Sequence, residues 1–274
     1  MQFAIVGATD REQWRTMMRR AGADDVYYLP EYHRLYEYMG VECLAYACWD
    51  GEQALFYPFL LRPIERVGML DAPPGLYDIE TVYGYGGPVA TTRSPAFLAE
   101  AWWRFDGWCA EHNVVCAFLR FNPFLGSERF VAPQTEVHLD RETVEIRLEG
   151  GEEALWQGYD STQRNRVRKA IKRGLTCHEI SLDEGLPVFC DLYEATMQRA
   201  GASDFYFFPY SYYRELKRSL ADHTRLFVVK YGRDSIAAGL FFTSEKILHY
   251  HLGASREDAL PLAPNNLMFH QVSL

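Results

Sequence analysis

Apolar residues recur at helical spacing over 11–22, "REQWRTMMRRAG", which closes on a glycine. The stretch 30–40, "PEYHRLYEYMG", opens on Pro30 in a first-turn position and stops at Gly40, so it predicts a second helix. "ECLAYACW" and "QALFYPFLLR" flank "DGE" and predict a tight β-hairpin. Residues 94–112 predict a helix with Ser94 as its cap and Pro95 as its first residue. The unbroken apolar run 114–121 predicts a buried strand.

A similar order recurs in the second half. "TVEIRL" (143–148) alternates and predicts a strand; 152–173 is helical up to Gly174. Two more helices follow, then three strands, "RLFVVKYG", "SIAAGLFFTS" and "KILHYHLGA". Short polar turns join the strands, as in an antiparallel meander. "APNNLMFHQVSL" opens a last helix. The predicted class is α+β, in two domains, 1–135 and 143–274, with the polar stretch around 130–142 between them. There is no repeat at the level of residues.

Composition narrows this picture. No apolar run approaches the ~20 residues needed to span a bilayer, and Met1–Asp10 does not read as a signal peptide. The six cysteines form no CxxC pair and mostly sit among apolar neighbours, which predicts buried thiols in a reducing cytoplasm. Tyrosine is abundant, at 18 residues, and suits either a core or a wall that must also hydrogen-bond.

Charge is unevenly placed. Residues 1–145 hold 12 Arg, no Lys and 21 acids, whereas 146–274 hold 16 basic and 16 acidic residues. An acidic body disfavours wrapping by DNA, because phosphate neutralisation supplies most such affinity. A local basic site is a different matter. "QRNRVRKAIKRG" (163–174) carries Arg164, Arg166, Arg168, Lys169, Lys172 and Arg173 with no acid among them. Val167, Ala170 and Ile171 share one side, and Arg164, Arg168 and Lys172 repeat at i, i+4, i+8 on a stripe about 12 Å long. Like charges at that spacing cost a few tenths of a kcal/mol per pair, and the helix dipole favours only those in the last turn. The stripe therefore points to anion binding, at a length that suits a pyrophosphate or a stretch of nucleic-acid backbone; the alternative is a solvated face.

"YGYGGP" (83–88) is glycine-rich, but its spacing and Pro88 do not make a phosphate loop. It predicts a tight turn in which Gly86 and Gly87 let backbone approach a ligand, with Tyr83 and Tyr85 as contacts. His249 and His251 alternate on one strand without a third metal ligand in view, so no metal is expected.

The succession "DVYYLPEYHRLYE", "VYGYGGPVA", "FLRFNPF", "RNRVRKAIKRGL", "FCDLYEATMQRAGASDFYFF" and "HYHLGAS" resembles the Fem-type non-ribosomal peptidyltransferases, in order and over nearly the whole chain. The resemblance implies two tandem GNAT-like domains, and a natural chain that continues past Leu274 to complete the second. It implies acyl transfer from an aminoacyl-tRNA to an amine acceptor carrying phosphate, such as a cell-wall precursor or peptide. No further cofactor is implied. By position, Arg164 and Arg168 inherit the phosphate-holding role, with Lys169 and Lys172 beside them, and "YGYGGP" lines the acceptor cleft.

Two departures stand out. Bridge-forming members have Arg where this chain has Gly86, and Asp where it has Asn122, which cannot act as a base and is expected as a substrate contact. Catalytic candidates are Glu194, Asp204 and Tyr206, in a segment expected near the cleft, with Tyr250 as a further proton relay; a surface or packing role is the alternative for each. Two other functions stand beside the tRNA-dependent one. One is a CoA-dependent N-acyltransferase, disfavoured because neither half carries the spaced glycine loop for acyl-CoA and Glu257 and Asp258 occupy that place in the second. The other is a non-catalytic ligand-binding relative.

Overall fold

The computed structural model describes residues 1–274. It divides into two compact units, Met1–Glu142 and Thr143–Leu274. No helix is long and apolar enough to cross a membrane.

The first unit opens with β1 (Gln2–Gly7) and α1 (Arg11–Arg20), which the Asp10 side chain caps by accepting from the Gln13 N–H. The helix expected over 30–40 is shorter. α2 is Pro30–Arg34, and a 3-10 turn over Glu37–Met39 ends on Gly40 in the left-handed conformation. Strands β2 (Glu42–Asp50) and β3 (Gln53–Pro63) form the expected hairpin, in register from Asp50–Gln53 to Glu42–Leu61. A small ribbon, β4 (Arg66–Val67) and β5 (Leu70–Asp71), precedes β6 (Tyr77–Glu80) and β7 (Val89–Ala90). Helix α3 (Pro95–Glu111) begins as expected, with Ser94 accepting from the Phe97 N–H. It leads to β8 (Val114–Phe118).

The sheet order is β1-β2-β3-β6-β8, with β7 beside β3 and β8 parallel to β6. α3 packs Phe97, Ala101, Trp102 and Phe105 onto Tyr46, Tyr57, Phe59 and Ile79. The tyrosines serve mainly this interior: Tyr28, Tyr32, Tyr36, Tyr46 and Tyr57 are fully buried. Tyr46 Oη donates to the Ala101 carbonyl at 2.6 Å, the Tyr32 and Tyr36 hydroxyls bond each other at 2.9 Å, and Tyr57 Oη is buried without a partner.

Two expectations are corrected here. The run 114–121 is not a buried strand: the strand is Val114–Phe118, at the sheet edge, Phe121 adds an isolated parallel bridge to Gly86, and Val115 and Phe118 stand more than half exposed. An apolar run reports neither which sheet position it takes nor what covers it. Cys116 on that strand is likewise exposed, unlike the buried Cys43, Cys48 and Cys177.

In the second unit the segment 143–148 forms no strand, despite its alternation, which corrects the expectation of one there. The helical stretch 152–173 is two helices, α4 (Gly151–Gly158) and α5 (Ser161–Lys172), separated at Tyr159 and Asp160. Asp160 is extended, and its carboxylate caps α5 through the Gln163 N–H at 2.6 Å. Then come β9 (Leu175–Ile180), α6 (Leu182–Ala200), α7 (Tyr210–Leu220), β10 (Thr224–Tyr231), β11 (Asp234–Thr243), β12 (Leu248–Ser255) and α8 (Pro264–Val272).

The sheet order is β12-β11-β10-β9, all antiparallel, so the meander is as expected. Val167 and Ala170 of α5 join Leu267 and Met268 of α8 over Phe227, Val229, Ala237 and Phe241. Ile171, expected on the same buried side, is 55% exposed. At 100° per residue it lies off the Val167–Ala170 line toward Arg164.

Candidate functional site

The loop 83–88 is held from inside by tyrosine hydroxyls. Tyr32 Oη donates to the Tyr83 carbonyl at 2.6 Å, and Tyr28 Oη to the Gly86 carbonyl at 3.0 Å. The Gly86 carbonyl also accepts from the Asn122 N–H at 2.9 Å and from Ser127 Oγ at 2.8 Å. Three donors on one carbonyl turn that peptide inward.

Gly84 and Gly87 have φ of +96° and +88°, which L side chains rarely adopt. A Cβ on Gly84 would lie 2.5 Å from the Tyr27 ring, and one on Gly87 would lie 2.9 Å from Phe121. The expectation that Gly86 and Gly87 admit a ligand is therefore corrected. Both are buried, and what approaches their backbone is the protein's own Tyr28, Phe121 and Ser127. Tyr83 and Tyr85 remain half-buried at the rim. Tyr85 meets Tyr27 and Phe124 edge-on, with ring centroids 5.7 and 6.4 Å apart.

Asn122 is wholly buried, so its expected substrate contact gives way to a structural one. Its Oδ1 accepts from the N–H groups of Phe124 and Leu125 at 3.0 and 3.2 Å, an Asx turn. Its Nδ2 is buried without a hydrogen-bond partner. The Asn122-Pro123 dipeptide is a turn signal in the sequence that would have found this role.

In the second unit, α5 presents its cations outward. Arg166, Arg168, Lys169, Lys172 and Arg173 are exposed, Arg164 is half-buried, and none of the six pairs with a carboxylate. Arg164 is partly committed: its Nη1 donates to the carbonyls of Tyr159 and Trp156, closing the C-terminal end of α4. That reduces the phosphate-holding role expected of it. The Arg168 guanidinium lies over the Trp156 ring, 5.1 Å from the centroid. The stripe that remains open to an anion is thus Arg168 and Lys172, with Lys169 and Arg173 on the neighbouring flank.

The other candidates are less constrained. Glu194 is exposed on α6 and accepts from Gln198 Nε2 at 3.1 Å. Asp204 is exposed at the start of a short 3-10 turn, and Tyr206 in the same turn is 38% exposed, edge-on to Phe205. Tyr250 stands 45% exposed against Phe269, with ring centroids 4.8 Å apart.

His249 and His251 are both buried. His251 Nε2 bonds Tyr212 Oη at 2.9 Å, and burial, with His249 nearby, pushes its pKa down to about 3. It is a neutral, packed imidazole. No three His, Cys, Asp or Glu side chains come together as metal ligands. Burial lifts the thiols of Cys43, Cys109 and Cys177 to about 12, and that of Cys190 to about 11. These are poor nucleophiles near neutral pH.

Residues 161–273 match the family model described as acetyltransferase (GNAT) domain. No curated protein matches the chain. Among solved structures, FemX superimposes with a TM-score of 0.67 at 13% identity, over 100% of this chain and 85% of FemX. The DUF2156 domain of an Agrobacterium fabrum protein, assigned to lysylphosphatidylglycerol synthesis, superimposes with a TM-score of 0.51 at 13% identity, over 97% of this chain and 74% of that one. The chain therefore has a Fem-like fold along its whole length, and residues 161–273 of its second unit are similar to a GNAT acetyltransferase domain.

Proposed function

We propose that the protein transfers an aminoacyl group from an aminoacyl-tRNA to an amine acceptor. The observation that carries this reading is the helix α5, whose six cations have no acidic partner on a chain of net charge −9. The Fem-like fold and the GNAT domain support acyl transfer as the class of chemistry.

In the reaction, the acceptor nitrogen attacks the ester carbonyl carbon. A C–N bond forms, the ester C–O bond breaks, and the tRNA ribose hydroxyl leaves with a proton that the amine gives up. This needs a positioned carbonyl, a deprotonated amine and donors for the oxyanion. It needs no covalent enzyme intermediate, in keeping with the high thiol pKa values. Exposed carboxylates at Glu194 and Asp204 and the Tyr206 hydroxyl are the candidate acceptors for the amine proton. Dependence on charged tRNA would place the protein in the cytoplasm.

The test incubates the protein with a mixed pool of charged tRNAs and two amine acceptors, a muramyl-peptide precursor and a free peptide, and separately with phosphatidylglycerol. There a glycerol hydroxyl instead of an amine would take the aminoacyl group, and product there alone would replace the amine acceptor. Tests of the last acceptor are motivated by the second structural relative. A tRNA-dependent product is expected. Turnover with acyl-CoA and none with charged tRNA would replace this reading with a CoA-dependent N-acyltransferase, the alternative that the GNAT match favours. Binding without turnover in either assay would make the protein a non-catalytic relative.

A further inference from the structure

The cations of α5 fall into two groups. Arg164, Arg168 and Lys172 occupy one sector of the helix, of about 80° at 100° per residue. Lys169, Arg173 and Arg166 occupy a second sector of about 60°, which begins about 60° beyond Lys172. The buried Val167 and Ala170 face away from both.

In the first group Arg164 is tied to the α4 carbonyls and Arg168 is steadied on Trp156, while Lys172 is open. The second group is exposed and makes no ion pair. Arg166, Lys169 and Arg173 follow one another at i, i+3, i+7, covering about 10 Å along the axis. Thr162 is exposed within the same sector, and Asn165 between the two.

The helix dipole favours Lys169 and Arg173 at the C-terminal end of α5, but it gives Arg166, in the second turn, no benefit. A single pyrophosphate does not explain the group, because the cations span two sectors. Membrane insertion would need apolar side chains beside the cations. The second sector has none, and Ile171, the exposed apolar residue of α5, lies beyond Arg164.

We infer that Arg166, Lys169 and Arg173 form a track for the sugar-phosphate backbone of RNA, separate from the Arg168–Lys172 stripe. The inference rests on the proposed use of charged tRNA and names where that RNA is gripped. Binding on such a track is independent of base sequence and steeply salt-dependent.

The experiment measures binding of uncharged bulk tRNA across a salt series. It compares the full chain with the triple variant Arg166→Gln, Lys169→Gln, Arg173→Gln. All three side chains are exposed, so circular dichroism and melting are expected to match the parent. The slope of log affinity against log salt should become shallower by about 2 to 3, with binding at low salt weakened tenfold or more. Inorganic pyrophosphate at millimolar concentration should compete poorly.

An unchanged slope overturns the inference. So does binding of the parent to phosphatidylglycerol vesicles but not to RNA. Transfer from charged tRNA with an unchanged KM for tRNA in the triple variant overturns the track and leaves the proposed reaction standing. Loss of RNA binding in the variant, with no tRNA-dependent product from the parent, upholds the track and removes the reaction.

Discussion

The guanidinium of Arg168 lies over the indole of Trp156, on the helix just before its own, with 5.1 Å between the Arg168 Cζ and the ring centroid. Arg164 reaches the carbonyl of that same tryptophan at 3.4 Å. The two arginines thus lock α4 against α5, and Arg168 is oriented before any anion arrives. Preorganisation of this kind lowers the ordering cost of binding. Trp156→Leu should release Arg168 and weaken binding of a phosphorylated acceptor about threefold, the scale of an exposed cation–π contact. Arg168→Ala with Lys172→Ala should weaken it at least tenfold, with a melting temperature close to that of the parent. Calorimetric titration and thermal melts separate the two effects. Unchanged affinity in the double variant would leave the stripe a solvated face.

Asn122 allows a test that distinguishes structure from chemistry. Its Oδ1 holds two backbone N–H groups in the turn that supports Gly86. Asn122→Ala removes that acceptor and should cost roughly 1–3 kcal/mol in denaturant unfolding. Asn122→Asp keeps an acceptor in place and should be the milder change. An alanine variant as stable as the parent would mean that the Asx turn does not hold the loop.

Much of the fold was legible in local signals. Ser94–Pro95 announced α3, the Asp50-Gly51-Glu52 turn announced the β2–β3 hairpin, and polar breaks announced the β10–β12 meander. What was lost depended on distant partners. β9 was not seen because its pairing strand, β10, lies across two helices in the sequence. β8 read as buried because an apolar run looks the same at an edge as in the middle of a sheet. At the candidate site, the free cations of α5 were visible as composition. The commitment of Arg164 was not, because it reaches backbone carbonyls, which carry no residue signature. The role of Gly86 was hidden for a similar reason: its carbonyl is held by Tyr28 and Ser127, which come to the loop from elsewhere in the unit, whereas the Asn122-Pro123 pair carried its own turn signal.

Two histidines set the acid limit of stability. Burial lowers the pKa of His33, and that of His251, to about 3 from the ordinary 6.5. Each is neutral in the folded chain and charges in the unfolded chain as pH falls below about 6.5. The unfolded state then binds more protons, so stability is full above that pH and is lost as pH falls toward about 3. Each histidine contributes a slope of up to about 1.4 kcal/mol per pH unit. Denaturant midpoints measured from pH 7 to pH 4 should fall steadily. His251→Phe, which keeps a ring against Phe242, should flatten the curve while losing the Tyr212 hydrogen bond. A wild-type curve that is flat across this range would show that the imidazoles are charged or solvated in the fold.

The loop 83–88 can be tested through its glycines. Gly84 sits at φ +96° with Tyr27 Cε1 2.5 Å from where a Cβ would be, and that ring is fully enclosed. An alanine there must bear backbone strain and also displace a packed aromatic, which together cost about 2–5 kcal/mol. Gly51 in the hairpin turn has φ +58° and nothing within 4 Å, so Gly51→Ala bears backbone strain alone, about 1 kcal/mol. Chemical denaturation should therefore rank Gly84→Ala well below Gly51→Ala. Tyr27→Ala in the Gly84→Ala background makes room for the new methyl, so the two losses should be less than additive. Strict additivity would mean that the ring is not what Gly84 accommodates, and the account of this loop as filled by its own side chains would fall.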